Sequence, residues 1–384
     1  MTTDELIKEF RNRFQREPEA VFFCPGRVNL IGEHIDYNGG SVMPCSIAKG
    51  TYLATARNTN KTFRFESLGF PRTASLHLQS SYSKTGKDWF NYPLGVIDAL
   101  LQEGHSLSGM DLLFDGDLPV GAGLSSSASI EVLTAFAVSE LSGLTIPRKE
   151  IALLSKKVEN EFIGVNCGIM DQFTVALCEK NKALLLDCDT LEVEYLPFET
   201  GDYELVIINS NKKRTLAGSK YNERFAECGL ALDALKKELD IKDLCDLGIA
   251  GFELHQGSIR DPVIRKRALH VVSENARVRD AVIALQTSDW PTFGKLLYAS
   301  HRSLKEDYEV TGIELDTIVD FCREYKDCCG ARMTGAGFGG CAIALVKKIS
   351  FDDFASKLKL FYEKRIGYAP TVFIAGTGGA VTRI

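Results

Sequence analysis

Pro119-Val120-Gly121-Ala122-Gly123-Leu124-Ser125-Ser126-Ser127-Ala128-Ser129 is a glycine- and serine-rich run that leads into a stretch whose apolar positions include Ile130, Leu133 and Phe136. Glycine lets the backbone approach a ligand closely and take conformations other residues avoid. Ser125, Ser126 and Ser127 add hydroxyl donors. The periodicity that follows predicts a helix over 127–141. A helix N-terminus offers free N–H groups and partial positive charge, so the segment suits a triphosphate. It is not the common P-loop, because no lysine follows the last glycine. A loop that merely caps the helix through Ser125 or Ser126 is the alternative.

Helical and strand periods alternate on both sides of this loop, with no repeat and no low-complexity tract. Residues 21–23 and 27–31 read as strand broken by Pro25-Gly26, then Asn38-Gly39-Gly40 as a turn. Residues 51–57 and 110–114 read as strands, and 90–103 and 149–162 as helices. An apolar strand over 205–208 opens a second half, and we place the boundary near Gly201, giving domains 1–200 and 201–384. Tyr221, Phe225, Cys228, Leu232, Leu235 and Leu239 mark one face of a long helix. Residues 265–285 and 293–304 read as helices and 341–346 as a buried strand.

Composition narrows the function. The 384 residues are 45% hydrophobic and 25% charged, ordinary for a globular chain of two domains. The net charge of −6 disfavours nucleic acid as a partner. Eleven cysteines, none in a C-x-x-C pair, suggest buried thiols in a reducing compartment, so a cytoplasmic location is expected. Thr2 and Glu5 have capping-box spacing ahead of Leu6, Phe10 and Phe14, which reads as a surface helix rather than a signal peptide. No apolar run approaches the length needed to span a membrane.

Three other segments carry chemistry. In Pro25-Gly26-Arg27-Val28-Asn29-Leu30-Ile31-Gly32-Glu33-His34-Ile35-Asp36-Tyr37, polar groups cluster where a strand ends. Glu33, His34 and Asp36 suit sugar hydroxyls, since carboxylates accept and imidazole does either; an Arg27–Glu33 ion pair in a solvated loop is the plainer reading. Asp171, in Gly168-Ile169-Met170-Asp171-Gln172-Phe173, is a carboxylate among apolar neighbours and a candidate base for a hydroxyl. A helix N-cap or a buried ion pair is the common alternative. Glu159 offers the hard oxygen that Mg²⁺ prefers. Gly335, Gly337 and Gly340 satisfy G-x-G-x-x-G but lead into a strand, which excludes a dinucleotide-binding loop and favours a mobile or closely packed loop beside a ligand, with a tight inter-strand turn as the alternative.

Together these segments resemble the galactokinases of the GHMP kinase superfamily. Residues 27–37 look like the galactokinase signature, 121–129 like the superfamily's ATP loop and 330–341 like its third motif. Asn209-Ser210 through Lys213-Arg214, Tyr221-Asn222-Glu223-Arg224, His270 through Asn275, and Ser300-His301 through Asp307-Tyr308-Glu309 also look like the family. The resemblance implies an α+β fold in the two-lobed GHMP kinase form, with a ribosomal-protein-S5-like N-terminal lobe and a ferredoxin-like C-terminal lobe. It implies MgATP-dependent transfer of phosphate to the anomeric hydroxyl of α-D-galactose.

The resemblance also implies site residues. Asp171 is expected to be catalytic with Arg27 as its cationic partner. Glu33, His34, Ile35, Asp36, Gly168 and Tyr221 are expected at the sugar. Ser67, Gly121, Ala122, Gly123, Leu124, Ser125, Ser126 and Ser127 are expected at ATP, and Ser127 and Glu159 at Mg²⁺. A monomer or weak homodimer is implied. Ile35 stands where threonine is frequent, Ala336 where glycine is usual and Phe225 where arginine is common. Rival readings are a kinase for N-acetylgalactosamine or arabinose, and a silent sugar-and-ATP sensor, which would be expected to lose part of the serine loop or the aspartate. A mevalonate- or homoserine-type kinase would lack the Glu-His-x-Asp segment.

Overall fold

A computed structural model describes residues 2–119, 121–212 and 217–384. Val120, Lys213 and Arg214 of the motifs above lie outside the described residues. The chain opens with helix α1 (Thr3–Phe14), started by the expected capping box between Thr2 and Glu5. Strands β1 (Ala20–Ile31), β2 (Ser41–Arg57), β3 (Thr62–Ser67) and β4 (Ala74–His77) follow. Next come α2 (Asn91–Gln102), β5 (Met110–Gly116), α3 (Ser126–Leu141), α4 (Arg148–Lys157), α5 (Met170–Leu177), β6 (Lys182–Asp187) and β7 (Val193–Pro197).

The second half begins with β8 (Tyr203–Asn209) and α6 (Ala217–Leu235). It continues through α7 (Ile249–His255), α8 (Pro262–Gln286), α9 (Trp290–Glu306), α10 (Ile313–Glu324), β9 (Cys328–Thr334), β10 (Cys341–Lys347), α11 (Phe351–Ile366) and β11 (Thr371–Ile374). The last strand, β12 (Thr382–Arg383), pairs with β1, so the chain's end returns to the first sheet.

Two sheets organise this order. The first runs β12-β1-β2-β5-β3-β4, with β6 on the far end of β2 and β7 beside β6. The second is antiparallel, in the order β11-β8-β10-β9. Helices α3 and α5 cover one face of the first sheet, and α1 covers the other through Leu6, Phe10 and Phe14. One apolar core then runs through both halves.

Where the structure departs from the sequence reading, the causes are local. Pro25-Gly26 does not break β1 but makes a register shift within it. A proline without an N–H is tolerated at such an irregularity, and Gly26 has no space for a Cβ, which would lie 2.7 Å from the Leu124 carbonyl oxygen. The helix expected over 149–162 becomes α4 followed by a π-helical turn, Val158–Ile163. The buried line on α6 is Arg224, Cys228, Ala231 and Leu235; Phe225 is exposed and lays its ring against Tyr37. An apolar count overlooked Arg224, whose guanidinium is buried because Nε donates to the Tyr308 carbonyl at 2.7 Å.

α8 explains how the halves are joined. Asp261 caps it by accepting from Val263 N at 2.7 Å, and Pro262 occupies its first turn. Its buried face includes Arg267, His270, Glu274 and Asn275, so the helix carries polar groups inward. His270, Glu274 and Asn275 hold the backbone of residues 32–41 of the first half, while Arg267 pairs with Glu227 and Glu309.

Candidate functional site

The end of β1, the start of α3 and the start of α5 converge on one arginine. Arg27 Nε donates to Asp171 Oδ1 at 2.8 Å, and Nη1 donates to the Gly123 carbonyl at 2.8 Å. Ser125 takes the other carboxylate oxygen, its Oγ donating to Asp171 Oδ2 at 2.7 Å. Ser125 sits at the N-cap of α3 in the left-handed region, with φ 62°, and makes no side-chain cap. Its hydroxyl is spent on Asp171, so the loop is more than a helix cap. Asp171 is in the first turn of α5 but is not its N-cap, which is Ile169. Arg27 pairs with Asp171 and not with Glu33.

Glu33 is bound from the other half. Its Oε2 pairs with Arg332 of β9, a residue fully buried, and its Oε1 accepts from Gly335 N at 2.9 Å. Burial raises the Glu33 carboxyl, against Arg332 and Arg27, which lower it. Its carbonyl oxygen lies 3.0 Å from His270 Nε2. Gly32 N donates to Glu274 Oε1 at 3.0 Å, and Ser41 N donates to Asn275 Oδ1 at 3.2 Å. Burial would raise Glu274, but Arg277 and His270 outweigh it and hold that carboxyl at about 2. Arg332 was missed by the sequence reading; only its place beside the third glycine segment pointed to it.

These groups face a cleft of about 500 Å³, a usual size for a small-molecule site. Arg27, Glu33, His34, Asp36, Gly168, Asp171, Tyr221, Ser127 and Glu159 line it, with Asn222, Gly335 and Ala336. Ile35 does not. Its side chain is fully buried against Gly40, and its carbonyl accepts from Asn38 N and Gly40 N, so it shapes the turn instead. Asp36 is raised to about 7 by desolvation, then by the charges of Asp171 and Glu33. Gly168 is obligatory beside it: a Cβ there would lie 1.7 Å from Asp36 Oδ2.

A second hollow of about 200 Å³ opens off the serine loop and shares Ser127 with the first. Phe70, Trp89, Tyr92, Phe114 and Ile130 give it apolar walls, with Ser67 and Ser126 at its edge. Phe70 and Trp89 are nearly parallel, at 22°. Ser67 Oγ accepts from Gly69 N and Phe70 N at 3.2 and 3.3 Å, so it builds the turn that presents Phe70. The phosphate-loop residues divide by role. Ala122 and Leu124 are buried anchors, while Gly121 and Gly123 take positive φ and Ser126 is exposed. The aromatic walls come from separate elements, and no local sequence pattern marked them.

Glu159, in the π-helical turn, accepts from Gln172 Nε2 at 2.8 Å and is raised to about 7 by burial, then by Asp171. Glu131 on α3 is fully buried, and neither of its oxygens has a hydrogen-bond partner among the described residues. Burial, then the charges of Glu159 and Asp171, raise the Glu131 carboxyl well above the ordinary range. The glycine segment 335–340 is the β9–β10 connection, with positive φ at Gly335, Gly337, Phe338, Gly339 and Gly340. It is both an inter-strand turn and a wall of the cleft.

The chain matches known proteins along its length. The galactokinase galactose-binding signature matches residues 8–57, the GHMP kinase N-terminal domain 91–179 and the GHMP kinase C-terminal domain 281–364. A galactokinase of Clostridium acetobutylicum is 49% identical over 99% of this chain and 98% of its own. The crystal structure of Lactococcus lactis galactokinase complexed with galactose superposes with a TM-score of 0.97, at 43% identity and 99% coverage of both chains. The Methanococcus jannaschii mevalonate kinase shares the fold alone, with a TM-score of 0.68 at 20% identity over 94% of this chain and 98% of its own. The chain belongs to the galactokinase family of the GHMP kinases, ATP-dependent sugar kinases of two α+β lobes.

Proposed function

We propose that this chain transfers the γ-phosphate of ATP to the anomeric hydroxyl of α-D-galactose, and that Asp171 and Arg27 are the catalytic pair. The observation that carries the reading is the Arg27–Asp171–Ser125 cluster, set where the polar cleft meets the serine loop. The polar cleft takes the sugar, with Glu33, His34, Asp36 and Tyr221 around its hydroxyls. The aromatic hollow takes the adenine, and the serine loop takes the phosphates with its backbone N–H groups.

Phosphoryl transfer needs alignment and charge neutralisation more than covalent help. Asp171 accepts the proton of the attacking hydroxyl. Arg27 fixes the carboxylate it pairs with and offsets charge on the transferring group. Ser125 holds the second oxygen of Asp171, so that one lone-pair direction is left for substrate. The carboxyl of Glu159, which lines the polar cleft beside Ser127, is a hard oxygen donor that suits a divalent ion. Ser127 and Glu159 would hold Mg²⁺, and bound there it would neutralise phosphate charge. A cytoplasmic location belongs to the same reading, with Cys24 and Cys45 as buried thiols.

A coupled ADP-release assay tests the proposal against galactose, N-acetylgalactosamine, arabinose, glucose and mevalonate. Turnover with galactose well above the rest is expected. Absence of turnover with every sugar, despite calorimetric binding of galactose and ATP, would sink the enzymatic claim.

A further inference from the structure

His34 is 4% exposed, and its two ring nitrogens have unlike surroundings. Nδ1 lies 2.8 Å from Tyr37 Oη; Tyr37 Oη lies 2.8 Å from Tyr308 Oη; and Tyr308 Oη lies 3.1 Å from Cys228 Sγ. Nε2 is buried without a geometrically formed hydrogen bond among the described residues, on a residue that lines the polar cleft, and the neighbouring Ala336 backbone favours a proton on the ring. The run starts in one half of the chain and ends in the other. Tyr308 is fully buried between them, and its carbonyl is held by Arg224.

Chemistry orders the protons along this run. A neutral imidazole has one donating and one accepting nitrogen. Sulfur is a weak acceptor, and Cys228 Sγ is also approached by the Asn38 amide. The better arrangement has the thiol donating to Tyr308, Tyr308 donating to Tyr37, and Tyr37 donating to Nδ1. The ring proton is then on Nε2. The opposite order would end a chain of good bonds on sulfur. Desolvation, helped by the nearby His270, lowers His34 to about 3, so the ring is neutral and has a single proton to place. Such a donor adds to the donors Arg27, Tyr221 and Asn222 that line the same cleft, and complements Glu33, Asp36 and Asp171, which accept when ionised. A hydroxyl that donates to one of them still has lone pairs to satisfy.

We propose that Tyr37 and Tyr308 are positioning residues that fix His34 as the Nε2–H tautomer and so make it a donor to a hydroxyl oxygen of the bound sugar. The inference rests on the galactose reading only for which sugar is bound.

The test is ¹⁵N NMR of histidine-labelled full-length protein. The six histidines are separated by comparison with His34→Gln, whose spectrum lacks the His34 signals. In sugar-free wild type, His34 is expected to show a protonated Nε2 and an unprotonated Nδ1. Adding galactose is expected to shift Nε2–H and leave the tautomer unchanged. Tyr37→Phe is expected to average the two nitrogens and raise the KM for galactose roughly tenfold, with the KM for ATP unchanged. Tyr308→Phe, which leaves Nδ1 its Tyr37 partner, is expected to have the same effects in weaker form. A proton on Nδ1 in wild type would overturn the proposal. So would an unchanged His34 pattern in both tyrosine variants, or an Nε2 signal indifferent to galactose that calorimetry shows is bound. The sugar-free spectrum reads the tautomer whether or not galactose is phosphorylated, so its failure and that of the functional reading are separable.

Discussion

Asp171 is held at both oxygens, by Arg27 on Oδ1 and by Ser125 on Oδ2. That grip separates two roles. Asp171→Asn keeps the shape and removes the negative charge. If the carboxylate takes the proton in the transition state, single-turnover rates should fall about 10²–10⁴-fold. A rate within a few-fold of wild type would mean that Asp171 only orients the hydroxyl. Asp36 gives a second prediction at this scale. Desolvation, Asp171 and Glu33 raise it to about 7, and Arg27 works against them. Its folded value exceeds the ordinary 3.8, so between these values the folded chain holds a proton that the unfolded chain releases. This group therefore lowers stability as pH rises through that window. For binding the sign reverses, because the carboxylate is the form that accepts from two hydroxyls. Calorimetric affinity for galactose should rise from pH 6 towards 8, and Asp36→Asn should flatten that rise. A flat wild-type profile would remove Asp36 from the sugar contacts.

Elements differ in how far the sequence reveals them. The capping box of α1, the boundaries of α2 and α3, and the buried β10 follow from local periodicity, and the structure has them close to where the pattern puts them. The signature over 27–37 and the serine loop were legible because their residues are neighbours in sequence. The partners of those residues were not. Arg332 lies 299 positions from Glu33, and a buried arginine on a strand has no signature of its own. The inward polar face of α8 looked like an ordinary helix, since what it holds is the backbone of another segment. The aromatic hollow likewise draws Phe70 from the turn after β3, Trp89 and Tyr92 from around the start of α2, and Phe114 from β5. Of these, Phe70 is 40% exposed, so truncating it costs the core little. Base–aromatic stacking is worth about 1–3 kcal/mol. Phe70→Ala should therefore raise the KM for ATP by roughly tenfold or more and leave the KM for galactose alone. A change confined to galactose would put the nucleotide elsewhere.

At the scale of the whole molecule, the Glu33–Arg332 pair is where one lobe reads the other. Glu33 sits in the turn just after β1 of the first sheet, and Arg332 belongs to β9 of the second. Burying both charges is costly, and the Coulomb attraction between them offsets that cost only while both are present. Arg332→Met removes one charge and leaves Glu33 fully enclosed, with Gly335 N as its remaining donor. Breaking such a pair costs about 3–5 kcal/mol, which a thermal melt should register as a clear fall. The double variant Glu33→Gln with Arg332→Met removes the stranded charge. If the pair serves mainly to join the lobes, the double variant should regain much of the lost melting temperature. If Glu33 also accepts from a sugar hydroxyl, galactose turnover should stay low in the recovered double variant. Stability regained without turnover would assign Glu33 both duties. Stability and turnover regained together would leave the pair as a lobe clasp and take Glu33 off the sugar.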